Sequence, residues 1–218
     1  MEWIFLVLVF PFFIYWCIDE KVGLQLGITI VLSIWVILIY KHLSGNIPVD
    51  IDFSWIIFAV FFCGFLFLRK KIEELLTKGG FRTYMIASAA VSFIMIMYIP
   101  DVKLILPAGI MLGLGAGYCF NKRFIGFKSS VILQKKIIPI TLVLIGRFLI
   151  GTTGLALIVY RVEKIIIVIS ENQNIFLYCF LCCTIISLWV SVLAPWIFLK
   201  LRLGGAEFDT WWDKKNDK

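Results

Sequence analysis

A single imidazole, His42, serves the whole 218-residue chain, and that removes several kinds of chemistry at once. A mechanism that pairs a histidine nucleophile with a histidine acid, or holds a metal between two imidazoles, needs a second ring. The sequence has no Walker motif, no HExxH, and no Gly-rich phosphate loop opening a helix. Six cysteines (Cys17, Cys63, Cys119, Cys179, Cys182 and Cys183) all lie in apolar runs, where the thiol behaves as a small hydrophobe. The spacing Cys179-x-x-Cys182-Cys183 invites a metal, but it lacks a second ligand pair and is embedded in FLYCFLCCTII. The expectation is no metal, no cofactor and no disulfide.

The charged residues hold what chemistry is left. Arg147 is the one clear charge within an apolar stretch. Intramembrane charges are costly and raise a functional hypothesis by default. Lys135 and Lys136 lie just before it, so Arg147 is expected to snorkel to the headgroups. No buried carboxylate pair is evident to relay protons, which argues against an ion-coupled transporter. A second group is spread over segment ends: Lys41, Asp50 and Asp52, then Asp101 with Lys103. Brought together, these would form a polar pocket able to meet a phosphorylated headgroup.

The elements that position these groups follow from composition. Hydrophobic residues make up 61% of the chain and charged ones only 16%, against about 25% charged in a soluble domain. A water-soluble core of this length could not consume so much apolar surface, so the bilayer is the solvent. The predicted fold is an all-α polytopic transmembrane bundle of six or seven helices. Seven segments are predicted: Trp3–Cys17, Val22–Tyr40, Phe53–Leu68, Thr83–Ile99, Leu104–Phe120, Ile137–Tyr160 and Ile175–Leu199. The first is short and carries Pro11, so it crosses only by tilt or local thinning, or enters without crossing. The sixth has a kinked or interfacial opening near Pro139 and can run past Arg161 to Ser170.

Sixteen of the 21 Lys and Arg residues fall in the turns around 18–21, 69–82 and 121–136 and in the C-terminal tail, against four on the opposite side. This asymmetry predicts an outside N-terminus and a cytoplasmic C-terminus. The net charge of +7 therefore belongs to the membrane interface, and no nucleic-acid partner is expected. The start lacks a basic n-region and its apolar run ends at Tyr15, Trp16 and Cys17, so no removable signal peptide is predicted. Residues 1–203 read as one membrane domain and 204–218 as a short tail. Gly109, Gly113 and Gly117 form a small-xxx-small face for close helix packing, and Ala87, Ser88, Ala89, Ala90 and Ser92 give the fourth segment a similarly slim surface.

Three stretches, DEKVGLQLGITIVLSIWVILIYKHLSG, LGLGAGYCFNKRFIGF and LWVSVLAPWIFLKL, follow the same order as in bacterial membrane members of the type-2 phosphatidic acid phosphatase family, which the chain resembles from Pro11 to Leu203. The resemblance implies three outer-face motifs, Lys-x6-Arg-Pro, Pro-Ser-Gly-His and Ser-Arg-x5-His-x3-Asp. In the family the last histidine attacks phosphate, the middle one protonates the leaving oxygen, and the cations hold the charge that develops. Here the first motif falls on KHLSGNIPV: Lys41 fits, but Pro48 and Val49 stand where Arg-Pro is required. In DFSWI only Ser54 remains, with Ile56 at the histidine position. In SFIMIMYIPD Ser92 fits, Phe93 replaces the arginine, Tyr98 or Ile99 replaces the nucleophile, and Asp101 comes two residues early. The long loop between the first two motifs is nearly absent.

The resulting expectation is a non-catalytic relative in which Phe93 and Ile99 fill the old site. Lys41, Ser54, Ser92, Asp101 and Lys103 remain as a vestigial phosphate or headgroup site. It would bind membrane lipid or a membrane protein partner in a bacterial cytoplasmic membrane. Two other readings stand beside this one: a structural subunit of a larger membrane complex, and a residual lipid phosphatase using Ser54 or Ser92.

Overall fold

The computed structural model describes residues 2–43, 60, 63–64, 83–97, 102–129, 140–169 and 175–206. Its helices are α1 (Glu2–Cys17), α2 (Glu20–Leu43), α3 (Thr83–Met97), α4 (Val102–Phe120), α5 (Ile140–Ile169), α6 (Ile175–Leu188) and α7 (Ala194–Lys200). The chain is an all-α transmembrane bundle. Three stretches among the described residues, Glu20–Leu43, Thr141–Val162 and Ile175–Lys200, are long and apolar enough to cross a membrane. The predicted segment Phe53–Leu68 lies outside the described residues, apart from Val60, Cys63 and Gly64, which are helical. At 16 residues, α1 reaches about 24 Å, short of a hydrocarbon core of about 30 Å. As anticipated, α5 continues beyond Arg161, ending at Ile169.

Between α6 and α7 the rod is interrupted by a π-helical turn, Trp189–Leu193. Pro195 is the cause we assign. It has no N–H to give the carbonyl one turn back, and its ring crowds that carbonyl. A π turn admits the ring and leaves carbonyls without helical partners. Two of them, on Val190 and Ser191, accept side-chain donors from α1 instead.

The glycine face of α4 packs on α6, as its spacing predicts. A Cβ on Gly109 would lie 2.6 Å from the Phe180 carbonyl oxygen, and one on Gly113 would lie 2.6 Å from that of Thr184. Gly117 meets the Ser191 hydroxyl in the same way. Backbones this close let hydroxyls share their protons across the interface: Thr184 Oγ1 between the carbonyls of Phe180 (2.9 Å) and Gly109 (3.2 Å), and Ser191 Oγ between those of Ser187 (2.7 Å) and Gly113 (3.4 Å). On α3 the slim surface is divided. Ser88 and Ser92 are buried, whereas Ala89 and Ala90 face outward.

One apolar cluster gathers Tyr15, Trp16, Leu114, Tyr118, Phe127 and Phe198 near one end of the bundle. Trp16 and Phe198 meet edge to face at 6.0 Å. A smaller cluster, of Val31, Met95, Ala108 and Met111, joins α2, α3 and α4. At the end holding the larger cluster, β1 (Phe127–Lys128) pairs antiparallel with β2 (Gly205–Ala206), Phe127 opposite Ala206 and Lys128 opposite Gly205. The turns near residues 18–20, 121–129 and 200–206 thus share one end, here termed the basic end.

Candidate functional site

Of the five residues assigned to a vestigial headgroup site, Lys41 is exposed in the last turn of α2. Lys103 lies in the first turn of α4. Ser54 and Asp101 lie outside the described residues. Ser92 is buried on α3, and its Oγ has no hydrogen-bond partner. No hydrogen bond among the described residues joins members of this set. Phe93 corrects one expectation: it is 61% exposed, so it points away from the bundle and does not fill an old site between helices. Successive residues on a helix project about 100° apart, and Ser92 has taken the inward direction.

The organised polar site is at the basic end, around Arg147. The side chain is fully buried, which overturns the expectation that it snorkels. Its Nε donates to the Leu203 carbonyl (2.7 Å), and its Nη1 donates to the carbonyls of Trp16 (2.7 Å) and Ser129 (3.1 Å). The Phe127 ring lies 5.2 Å from the guanidinium carbon. Nη2 has no hydrogen-bond partner. The physical reason for burial is the company Arg147 keeps. Chain turns at helix ends expose carbonyls that the helices cannot satisfy, and a planar guanidinium donates in several directions at once.

Each of those carbonyls is aimed by local sequence. At the end of α1, the N–H groups of Ile18 and Asp19 both return to the Ile14 carbonyl (3.0 and 2.9 Å). Asp19 then caps α2, its Oδ1 accepting from the N–H groups of Lys21 (2.7 Å) and Val22 (3.0 Å). This tight turn leaves the Trp16 carbonyl for Arg147. Ser129 is fixed by donating its hydroxyl to Glu20 Oε2 (2.9 Å) and to the Ile18 carbonyl (3.1 Å). At the end of α7, Leu203 N–H bonds to the Phe198 carbonyl (2.7 Å) and Arg202 N–H to that of Leu199 (3.0 Å). That is a Schellman cap, and it turns the Leu203 carbonyl toward Arg147.

A second network joins α1 to α4 and the π turn of the last rod. Trp16 Nε1 donates to the Val190 carbonyl (2.9 Å) and Tyr15 Oη to the Ser191 carbonyl (3.3 Å). Asn121 Nδ2 donates to Tyr15 Oη (2.9 Å), and Asn121 Oδ1 accepts the Phe127 N–H (3.2 Å). Asn121 opens another π turn, Asn121–Ile125, closed by Gly126 at φ 66°. Beside this network, Phe12, Tyr15, Leu24, Leu114, Val190 and Ser191 pack around a crevice too narrow to admit a water molecule. We expect Tyr15→Phe to lower stability by about 1–3 kcal/mol, because the buried Asn121 amide loses its acceptor. Thermal unfolding of the two proteins in the same detergent measures this.

Chemically, the two networks can hold segments together but offer no activated nucleophile. The Tyr15 hydroxyl is engaged as both donor and acceptor, and the hydrogen bonds of Arg147 go to backbone carbonyls. Sequence reasoning missed Tyr15, Trp16, Asn121 and Ser191 because their partners are 106–176 residues away. The available signal was Pro195 within an apolar run, which forecasts free carbonyls one turn earlier.

Helix length and apolar composition define an integral membrane helical bundle, and its C-terminal rod is bonded to its first helix. Residues 105–207 match the family described as the PAP2 superfamily phosphatase, transmembrane extension. That segment, just under half of the chain, is similar to the PAP2 superfamily, the phosphatidic acid phosphatase family that the sequence resembles. The match spans α4 to β2 and includes Arg147 and the Schellman cap. No curated protein and no solved structure matches the chain.

Proposed function

We propose that this chain is a non-catalytic phosphatase-like membrane protein that binds phospholipid. One observation carries the reading. The chain matches the family's transmembrane extension over residues 105–207, where Arg147 bonds to the cap of α7, while Pro48, Ile56, Phe93 and Ile99 stand at the positions where the family resemblance calls for phosphate-handling residues. An aliphatic or phenyl group can neither attack phosphorus nor hold a phosphoryl oxygen. Lys41, exposed at the end of α2, keeps a cation for a lipid phosphate in the headgroup zone. The orientation consistent with the lysine and arginine asymmetry puts the basic end in the cytoplasm of a bacterium and Lys41 outside.

The competing reading is a structural subunit, motivated by the apolar outward face of α3, on which Ile86, Phe93, Ile94 and Met97 are exposed. Purification in mild detergent separates the two. The lipid-binding reading expects retained phospholipid and no stoichiometric protein partner. A partner at one-to-one stoichiometry, with no lipid retained, would establish the subunit instead.

A further inference from the structure

We propose that the turn ending α7 is a binding site for the phosphate of an anionic phospholipid, held by Lys200 and Arg202. This deepens the lipid-binding reading above by naming the headgroup class and placing it at the basic end, away from Lys41.

The first observation is a backbone one. Arg202 sits at φ 58°, a non-glycine residue in the left-handed region, at the Schellman position where glycine is the usual choice. An L side chain is disfavoured there because its Cβ crowds the backbone. Glycine would make the same turn freely, so the turn alone does not call for an arginine. What arginine adds is a fork of N–H donors whose geometry matches phosphate oxygens.

The second is the placement of Lys200. Its Nζ stands 4.1 Å from the Trp196 ring centroid, one helical turn back. Trp196 is 44% exposed, and an indole of this kind settles at the headgroup level of a bilayer. The ring therefore holds the ammonium at the depth where lipid phosphates lie. Two residues on, Arg202 is exposed. Neither cation pairs with a carboxylate among the described residues.

The third is charge complementarity. Lys200 and Arg202 lie two residues apart in the turn, and the described carboxylates at this end are Asp19 and Glu20. Both carboxylates are spent internally, Asp19 on the cap of α2 and Glu20 on Ser129. The π turn that carries Lys122 and Arg123 packs against α7, beside this turn. Such a surface attracts an acidic headgroup more than a zwitterionic one, by about fivefold for each nearby cation.

The test uses the full chain, purified and delipidated in mild detergent, then titrated with dioleoyl phosphatidylglycerol, dioleoyl phosphatidylcholine or inorganic phosphate. Retained lipid is counted by native mass spectrometry, and thermal unfolding is followed in parallel. The wild type should prefer phosphatidylglycerol to phosphatidylcholine and should not respond to inorganic phosphate at equal concentration. The double variant Lys200→Gln/Arg202→Gln should lose most of that preference, about fivefold per charge removed, while Lys164→Gln, on α5, should keep it. Arg202→Gly should unfold at a higher temperature without lipid yet bind phosphatidylglycerol more weakly. A purely structural role for Arg202 does not produce that pairing. Equal retention of the two lipids, an unchanged preference in the double variant, or inorganic phosphate as effective as the lipid would each overturn the proposal. Loss of both lipids from the wild type would sink the lipid-binding reading itself, whereas retained lipid insensitive to Lys200 and Arg202 sinks only this site.

Discussion

Arg147→Met is expected to destabilise the bundle by at least about 3 kcal/mol, given about 1.5–3 kcal/mol for each hydrogen bond to a charged donor. The substitution keeps most of the apolar stem but removes the donors. Three carbonyls, on Trp16, Ser129 and Leu203, then lose a charged partner in a place where side chains exclude water. These carbonyls belong to the end of α1, the strand-bearing turn after α4, and the cap of α7. The damage should therefore spread to all three segments. Arg147→Lys should fall between, since one ammonium cannot reach the positions of both Nε and Nη1 contacts with a planar fork. Denaturation in a fixed detergent, followed by circular dichroism, gives the free energies. Protease cleavage near residue 203 should rise in step. An unchanged unfolding curve for Arg147→Met would show that the buried guanidinium contributes nothing net.

The second large effect is expected from Gly113→Leu. A Cβ at this position already lies 2.5 Å from Ser187 Cβ and 2.6 Å from the Thr184 carbonyl oxygen, and the latter is backbone that no rotamer change can move. The branched side chain must push α4 away from α6. The separation also loses the longer, shared contacts from Thr184 Oγ1 to Gly109 and from Ser191 Oγ to Gly113, leaving each hydroxyl on its shorter bond within its own rod, together with the packing of α4 on α6. Overpacking alone costs about 1–3 kcal/mol, and the lost contacts add to it, so about 3 kcal/mol or more is expected. Gly27→Ala is the contrasting case. Its added methyl would meet Leu114 at 3.5 Å and Pro11 at 3.9 Å, ordinary contact distances, and alanine favours the helix by up to about 1 kcal/mol. Opposite signs at the two glycines would tie the effect to the α4–α6 interface and not to glycine loss in general.

Much of this was legible in the residues, for identifiable reasons. Helix positions follow from apolar run length, because the bilayer imposes it. The glycine face was readable because a four-residue spacing puts Gly109, Gly113 and Gly117 on one side of a helix whatever the partner. The shared end of the turns at 18–20, 121–129 and 200–206 was readable from lysine and arginine placement. Arg147 was misread because its partners are carbonyls, and every residue has one. Nothing in a side-chain sequence marks which carbonyls a turn will leave free. Phe93 was misread for a related reason: motif spacing says which residue replaces an arginine, but not which way the helix turns it. The inward position of Ser92 depends on how α3 rotates against α4, which motif spacing does not state. Family resemblance was readable where framework residues are distinctive, in LGLGAGYCFNKRFIGF and LWVSVLAPWIFLKL, and both stretches fall within the matched segment 105–207.

The most direct measurement is phosphate release from phosphatidic acid by the full chain reconstituted in liposomes. On the proposed non-catalytic reading, in which Ile56 and Phe93 stand where the family resemblance calls for phosphate-handling residues, the release should equal that of protein-free liposomes at every protein concentration. Turnover that rises with protein and disappears in Lys41→Ala or Ser92→Ala would contradict the account, restoring a working phosphatase site to the bundle.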